Sequence, residues 1–154
     1  MKRYWLLCLL LLVSYTPSPA RQAAVRPART YTFVPETVFP MGSRPMRVTA
    51  TFQLVITRDK VTSYLPYFGS ADAPAYGNNN GPGDFTLLQF DYSEEPGKKG
   101  ATIIRITPRD KGDVRRIEMT YFPGSAYADV SLIFNRRQSI RYRGQVTVSG
   151  TAGR

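Results

Sequence analysis

The sequence contains no histidine, and its single cysteine is Cys8, close to the first residue. Imidazole nitrogens and thiolates are the usual ligands of zinc, copper, haem iron and iron–sulfur clusters, so their scarcity argues against all of these centres. A calcium site would need spaced oxygen ligands, and no run of Asp and Asn resembles a calcium-binding loop. We therefore expect neither a metal ion nor any other cofactor.

Catalytic motifs are equally scarce. The chain lacks a Gly-x-Ser-x-Gly nucleophile turn, a Ser-x-x-Lys motif and a glycine-rich phosphate loop. Asp91, Glu94 and Glu95 cluster in the sequence, but Pro96 and Gly97 follow them, which is typical of a solvated turn rather than a glycosidase pair. We predict that the protein is not an enzyme.

The first twenty residues have the composition of a secretory signal peptide. Met1-Lys2-Arg3 is a positively charged start, residues 6–13 are mostly apolar, and Ser18-Pro19-Ala20 offers small residues to a signal peptidase. The apolar run is far shorter than the ~20 residues of a membrane-spanning helix. Cys8 lies inside this run, so it does not match a lipoprotein site. We expect export, cleavage near Ala20, and a mature protein in the periplasm or at the cell surface that does not span the membrane.

The formal net charge is +10, from 21 basic and 11 acidic residues. Removal of residues 1–20 would take away Lys2 and Arg3 and leave +8. A basic exported protein can bind anionic envelope polymers or lipid head groups, although arginine-rich surfaces also serve solubility. Nucleic acid is not expected as a partner, because an exported protein seldom meets it.

The remaining sequence divides into a basic arm at 21–29, a single domain at 30–148 and a tail at 149–154. The arm is polar and contains proline, which is typical of a flexible segment. In the domain, β-branched and aromatic residues alternate with polar ones, and turn-forming residues recur at short intervals. This pattern predicts strands joined by tight turns rather than helices.

Strand registers follow from the alternation. A two-residue turn at Arg58-Asp59 would place Leu54 opposite Ser63 and Ile56 opposite Val61, so that the apolar faces match.

A second hairpin is centred on Pro123-Gly124, which would pair Ile117 with Val130 and Met119 with Ala128. With the last strand added, this register arranges the outward side chains in two rows across three strands. The rows are Arg116, Ser131 and Arg141, then Glu118, Asp129 and Arg143.

Another hairpin is expected between Phe85–Tyr92 and Ala101–Pro108, with Glu94–Gly100 as its loop. With a strand at Tyr31–Phe39, the domain has about eight strands in an all-β antiparallel meander. Such a meander buries its apolar face by curling into a barrel-like form, and a β-sandwich is the alternative. The predicted buried side of this hairpin comprises Leu88, Phe90, Ile104 and Ile106.

The longest irregular segment is 64–84, which is rich in aromatic residues, proline and glycine. Aromatic loops at the mouth of a barrel often line a ligand, so Tyr64, Tyr67, Phe68 and Tyr76 are candidate ligand-binding residues. The alternative is that Leu65, Tyr67 and Phe68 fold back and close an open end of the barrel.

Two non-enzymatic functions are consistent with these features. The first is binding of a small apolar ligand or lipid inside the barrel, where small side chains could leave a cavity, unless they merely fill a tapering interior. These small residues are Ala50, Ser63, Ala126, Ala128 and Gly144. The second is docking of an envelope protein or an anionic glycan through arginines. The candidates are Arg116, Arg136, Arg137, Arg141 and Arg143.

Two motifs resemble a known family. Ser63-Tyr64-Leu65-Pro66-Tyr67-Phe68-Gly69 is similar to one signature of domain of unknown function 4251, and Arg136–Gly144 is similar to its closing strand. The family comprises exported proteins, mainly of Bacteroides-type bacteria, and the resemblance covers about residues 30–148. After Gly69 the chain departs from the family pattern. The resemblance implies the β fold and a periplasmic or surface location, and it implies no activity.

Overall fold

The computed structural model describes residues 26–49, 51–68 and 81–150, which form ten β-strands and a short 3₁₀ turn at Lys98–Gly100. All recorded strand pairs are antiparallel, which confirms the predicted fold class. The strands are β1 (Thr30–Pro40), β2 (Met46–Arg47), β3 (Gln53–Ile56), β4 (Val61–Tyr64), β5 (Asp84–Leu87), β6 (Phe90–Pro96), β7 (Thr102–Pro108), β8 (Val114–Tyr121), β9 (Tyr127–Phe134) and β10 (Ile140–Ser149).

The strands form one sheet in the order β5-β4-β3-β1-β10-β9-β8-β7-β6, with β2 beside β1. β5 and β6 lie at opposite edges of this sheet, yet only Leu88 and Gln89 separate them in the chain. Residues 84–96 therefore pair with β4 along their first part and with β7 along their last part. Because the chain itself joins the two edges, the sheet curls into a nearly closed barrel, as predicted.

The core fills the inside of this barrel because side chains alternate along each strand. In β10, Ile140, Tyr142 and Val146 are buried while Arg141 and Arg143 are exposed. Leu88, which was predicted on the buried side, is 62% exposed. The chain bends between β5 and β6, so the buried position falls to Leu87. The largest fully buried side chains are Tyr31, Tyr142, Phe33, Phe90, Leu54, Ile56, Ile104, Ile106, Ile117, Met119, Leu132 and Ile140.

The register of β3 and β4 is confirmed. Leu54 lies opposite Ser63, and Ile56 lies opposite Val61. The Thr57 backbone N–H donates to the Lys60 carbonyl oxygen at 2.9 Å, which closes the short turn. A tight turn between two alternating strands was therefore sufficient to fix this pairing.

The predicted register of β8 and β9 is wrong by two residues. Ile117 lies opposite Leu132, and Met119 lies opposite Val130. The predicted turn is present, since the Ser125 N–H donates to the Phe122 carbonyl oxygen at 2.9 Å, but Ala126 and Tyr127 lie between this turn and the ladder, where Tyr121 is opposite Ala128. The carbonyl oxygen of Ala126 accepts a hydrogen bond from the Val146 N–H at 2.7 Å. Ala126 thus pairs with β10 before β9 begins, and it is exposed rather than buried.

Some predicted features lie outside the described residues: the signal peptide with its cleavage point at Ala20, the first part of the arm, Ala50, Tyr76 and the last four residues. Within the described part of the arm, Pro27 is buried and the Arg26 guanidinium carbon lies 5.4 Å from the ring centroid of Phe90. Among the described residues, no helix has the length and apolar character needed to cross a membrane.

Candidate functional site

The segment after β4 lies across one end of the barrel. Leu65 is 3% exposed and belongs to the core, and Pro66 is buried beside it. The Tyr142 hydroxyl donates to the Pro66 carbonyl oxygen at 2.8 Å, and the Tyr67 hydroxyl donates to the Gln138 carbonyl oxygen at 3.0 Å. These bonds tie the segment to β10 and to the turn that precedes it. We name this part of the molecule, Leu65–Tyr67, the plug.

The predicted ligand-binding aromatic residues separate into two environments. Tyr67 packs edge to face on Phe134, with ring centroids 5.3 Å apart, and so lies in the plug. Tyr64 and Phe68 are 51% and 52% exposed, and the Tyr64 ring lies against Phe52 at 5.2 Å. The structure therefore does not gather the described members of this set around one space.

Two of the predicted small interior residues, Ser63 and Gly144, make close contacts with backbone. The Ser63 hydroxyl donates to the Gly83 carbonyl oxygen at 2.7 Å. A Cβ on Gly144 would lie 2.0 Å from the Val34 carbonyl oxygen and 2.6 Å from the Pro35 Cα, where β1 shifts register against β10. Gly144 is small because another backbone approaches it, so it leaves no space for a ligand.

The five predicted docking arginines differ in what they contact. Arg143 donates to both Asp129 oxygens, at 3.0 and 3.1 Å, and Arg137 donates to Asp113 at 2.5 Å. The hydrogen bond to Asp129 raises the pKa of Arg143 further above its ordinary value. The Arg141 guanidinium lies 5.1 Å from the ring centroid of Phe39, in a cation–π contact.

The two remaining arginines are placed less favourably for docking. Arg136 is exposed, and its backbone N–H donates to Asp113. Arg116 was expected in one row with Ser131 and Arg141, but the error in the β8–β9 register moves it opposite Ile133. Its Nε is buried and has no hydrogen-bond partner among the described residues. Glu118 takes the place of Arg116 in the row.

Two open depressions lie on the outer face formed by β8, β9, β10 and the end of β1. The first has a volume of about 360 Å³ and contains Arg141, Phe39 and the 60% exposed side chain of Met41. The second has a volume of about 400 Å³ and is lined by Arg143 and by the exposed side chains of Phe122 and Tyr127. Because Arg141 and Arg143 are two residues apart on β10, the depressions belong to adjacent rows. We name this surface the arginine face.

A polar cluster that sequence reasoning missed occupies the other end of the barrel. One Glu94 oxygen accepts hydrogen bonds from the hydroxyls of Tyr92 at 2.8 Å and Tyr31 at 3.2 Å. The rings of Tyr31 and Tyr121 are 5.8 Å apart. Burial is the largest cause that raises the pKa of Tyr31 and of Tyr92 above the ordinary value, so both stay neutral donors at physiological pH. We name this group the tyrosine cluster.

The prediction of a solvated turn around Asp91, Glu94 and Glu95 is wrong, because all three lie on β6. Glu94 has the same parity as the buried Phe90 and Tyr92, and that alternation could have located it on the inner side.

The outward carboxylates of β6 form ion pairs with β7. Glu95 accepts a hydrogen bond from Arg105 at 2.5 Å, and Asp91 accepts one from Arg109 at 3.0 Å. The Arg109 hydrogen bond is the largest cause that lowers the pKa of Asp91. These groups are engaged in structural pairs on the wall of the barrel.

The comparisons with known proteins identify the family. The sequence model of the family described as Domain of unknown function (DUF4251) matches residues 22–146. The chain belongs to this family. A similar solved structure is the crystal structure of a DUF4251 family protein from Bacteroides eggerthii DSM 20697, with a TM-score of 0.53 and 17% sequence identity. The alignment covers 77% of this chain and 79% of that chain, and at this identity it shows the fold alone. No curated protein matches this chain.

Proposed function

We propose that the protein is an exported interaction module that binds an anionic glycan of the bacterial envelope on its arginine face. The observation that carries the proposal is the pair of adjacent open depressions, each of which combines an arginine with exposed apolar side chains. Neither depression is deep, so a ligand would lie along the face rather than enter the barrel.

The chemistry of the arginine face suits an acidic sugar chain. A sugar ring presents a C–H face that loses contact with water when it packs on an aromatic side chain such as Phe122 or Tyr127. Its carboxylate, sulfate or phosphate groups can accept hydrogen bonds from a guanidinium. The volumes of about 360 and 400 Å³ fall at the lower end of the ~300–1,000 Å³ range of small-molecule sites.

Long-range electrostatics favour the same class of partner. The charge that remains after removal of a signal peptide would be +8, because only Lys2 and Arg3 are lost with it. A net positive charge of this size attracts polyanions and raises the rate of encounter with them. A neutral or basic polymer would gain nothing from this field.

Binding of an apolar ligand in the barrel interior has less support. The inward positions are taken by large core side chains, and Gly144 and Ser63 make close backbone contacts instead of lining a space. The plug covers one end with Leu65 and Tyr67. Native mass spectrometry of protein purified from its own envelope would find a bound lipid-sized mass if this alternative were correct.

The test of the proposal compares anionic and neutral polysaccharides. Residues 21–154 are titrated with alginate, dextran sulfate and neutral dextran by isothermal calorimetry, at about 50 mM and about 500 mM NaCl. We expect the two polyanions to bind and dextran not to bind, with weaker binding at the higher salt concentration because charges at an exposed face are screened.

The control variant must remove the same charge elsewhere. Arg109→Gln breaks an exposed ion pair with Asp91 on β6, and combined with Lys98→Gln in the exposed turn after β6 it lowers the net charge by two. We expect this pair of changes to bind like the parent protein, whereas the double change Arg141→Gln and Arg143→Gln, which also removes two charges, abolishes binding. Binding that survives the double change, or that never appears with either polyanion, would contradict the proposal.

A further inference from the structure

We infer that the depression around Arg141 is a subsite for one carboxylate-bearing sugar, a uronic acid unit of the glycan. This inference rests on the proposed function and adds to it the chemical class of the bound unit and the residue that selects it. It depends on a difference between two arginines that lie two residues apart on the same strand.

The first step concerns how Arg141 is held. Its guanidinium carbon lies 5.1 Å from the centroid of Phe39, its partner across the β1–β10 ladder. A cation–π contact holds the guanidinium over the ring face by electrostatic attraction and does not pair its N–H groups with an acceptor. The cross-strand contact thus positions the group without using its hydrogen-bond donors.

The second step concerns the acids around it. Within the described residues, no carboxylate forms an ion pair with Arg141, whereas Arg105, Arg109, Arg137 and Arg143 each pair with at least one. The acid in the same row is Glu118, which lies beyond Ser131 on β8 and accepts a hydrogen bond from Arg105 at 3.3 Å. The donors of Arg141 are therefore available to a carboxylate that comes from outside.

The third step concerns the rest of the depression. Three serines line it together with Met41 and Pro40: Ser43, Ser131 and Ser139. Serine hydroxyls donate and accept hydrogen bonds, and sugar hydroxyls do the same. Met41 and Phe39 supply apolar surface for the C–H face of a sugar ring. A planar carboxylate matches the two parallel N–H groups of a guanidinium edge, so the combination suits a uronic acid.

The neighbouring depression provides the internal comparison. There the guanidinium of Arg143 already donates two hydrogen bonds to Asp129. An incoming carboxylate would have to displace Asp129 or approach a neutralised pair, so this depression would contact the sugar through Phe122 and Tyr127. We expect one charged subsite and one stacking subsite on the arginine face.

The experiment uses trigalacturonate and its fully methyl-esterified form, which keeps the sugar rings but has no carboxylate. Binding to residues 21–154 is measured by ¹H–¹⁵N NMR titration, with dextran sulfate as a polyanion without carboxylates. We expect trigalacturonate to shift the amide signals of Phe39, Ser131 and Ser139. The methyl ester should bind at least about tenfold more weakly, since hydrogen bonds to charged groups contribute more than neutral ones.

Variants of Arg141 separate the effect of its positive charge from the effect of the paired N–H groups of its guanidinium. Arg141→Gln should raise the Kd for trigalacturonate by about tenfold or more, and Arg141→Lys should fall between the two because an ammonium cannot form the paired hydrogen bonds. Arg143→Gln should have a smaller effect than Arg141→Gln. Both arginines are exposed, and an unchanged amide spectrum of the core strands checks that each variant is folded.

The outcomes distinguish the subsite from the function. If dextran sulfate binds the arginine face and trigalacturonate does not, the uronic acid assignment is wrong and the proposed function stands. Equal binding of the acid and the ester, or full binding by Arg141→Gln, would also overturn the subsite alone. If no anionic glycan binds, the proposed function and the subsite fail together.

Discussion

The two ends of the barrel are closed in different ways. At one end the chain leaves the sheet after β4, and Leu65 and Tyr67 pack over the core. At the other end, tyrosine side chains of the strands donate hydrogen bonds to Glu94. The plug holds by apolar burial and by hydroxyls that donate to backbone carbonyl oxygens. The tyrosine cluster holds by hydroxyls that donate to an exposed carboxylate. A buried acceptor that loses its hydrogen-bond donor cannot replace it with water, whereas an exposed acceptor can. The two ends should therefore respond differently to equivalent changes.

The largest effect is expected from Leu65→Ala. Leu65 is 3% exposed and anchors the plug in the core, so the truncation leaves a cavity beneath the plug. We expect the free energy of unfolding to fall by about 2–5 kcal/mol. Urea denaturation followed by tyrosine fluorescence measures the loss.

Leu88→Ala is the matched control for this change, because it removes the same atoms from a side chain that is 62% exposed. Its effect should stay within about 0.5 kcal/mol. A similar loss for the two variants would mean that Leu65 does not anchor the end of the barrel.

The second prediction compares one hydroxyl from each end. Tyr142→Phe removes the donor to the Pro66 carbonyl oxygen, and Pro66 is buried, so this acceptor is left without a partner. We expect a loss of about 1–3 kcal/mol. Tyr92→Phe removes a donor from Glu94, which is exposed and can turn to water, so we expect at most about 1 kcal/mol. Thermal unfolding of both variants beside the parent tests the order, and a larger loss for Tyr92→Phe would reverse the comparison.

The sequence supports the two ends unequally as well. The plug can be predicted, because Leu65 and Tyr67 follow a strand whose register is fixed by a tight turn, although Phe68, which was expected to join them, is 52% exposed. The tyrosine cluster was not predicted, because the acidic residues and Pro96 resemble a turn in the sequence. In the structure they belong to β6, which continues to Pro96. The consecutive Leu87 and Leu88 also conceal the change of parity between β5 and β6 that joins the edges of the sheet.

The arginine face shows the same limit. Alternation correctly placed Arg141 opposite Ser131 and Arg143 opposite Asp129. It could not show that Phe39, about a hundred residues earlier, stacks on Arg141, because that contact exists only once β1 pairs with β10. Arg116 was misplaced because Ala126 and Tyr127 lie between the Phe122–Ser125 turn and the β8–β9 ladder, and the carbonyl oxygen of Ala126 bonds to β10. Contacts between strands that are far apart in the sequence depend on how the barrel closes, and the local alternation of apolar and polar residues does not predict them.

The third prediction concerns how the free energy of unfolding changes in alkaline solution, where the tyrosines at the two ends of the barrel begin to ionise. Burial is the main cause that raises the pKa of Tyr31 and Tyr92 in the tyrosine cluster, and of Tyr142 beneath the plug. In the unfolded chain these phenols lose their protons near pH ~10, whereas in the folded protein they keep them to higher pH. Their contribution is therefore complete below pH ~10 and declines as the pH rises, by up to about 1.4 kcal/mol per pH unit for each tyrosine. Urea denaturation at a series of pH values measures how the free energy of unfolding declines. The decline should be shallower for Tyr92→Phe and for Tyr142→Phe than for the parent. The double change Tyr31→Phe and Tyr92→Phe should reduce the decline about twice as much as Tyr142→Phe. Equal slopes in all variants would mean that these tyrosines ionise in the folded protein, and that neither end of the barrel keeps its hydroxyls from water.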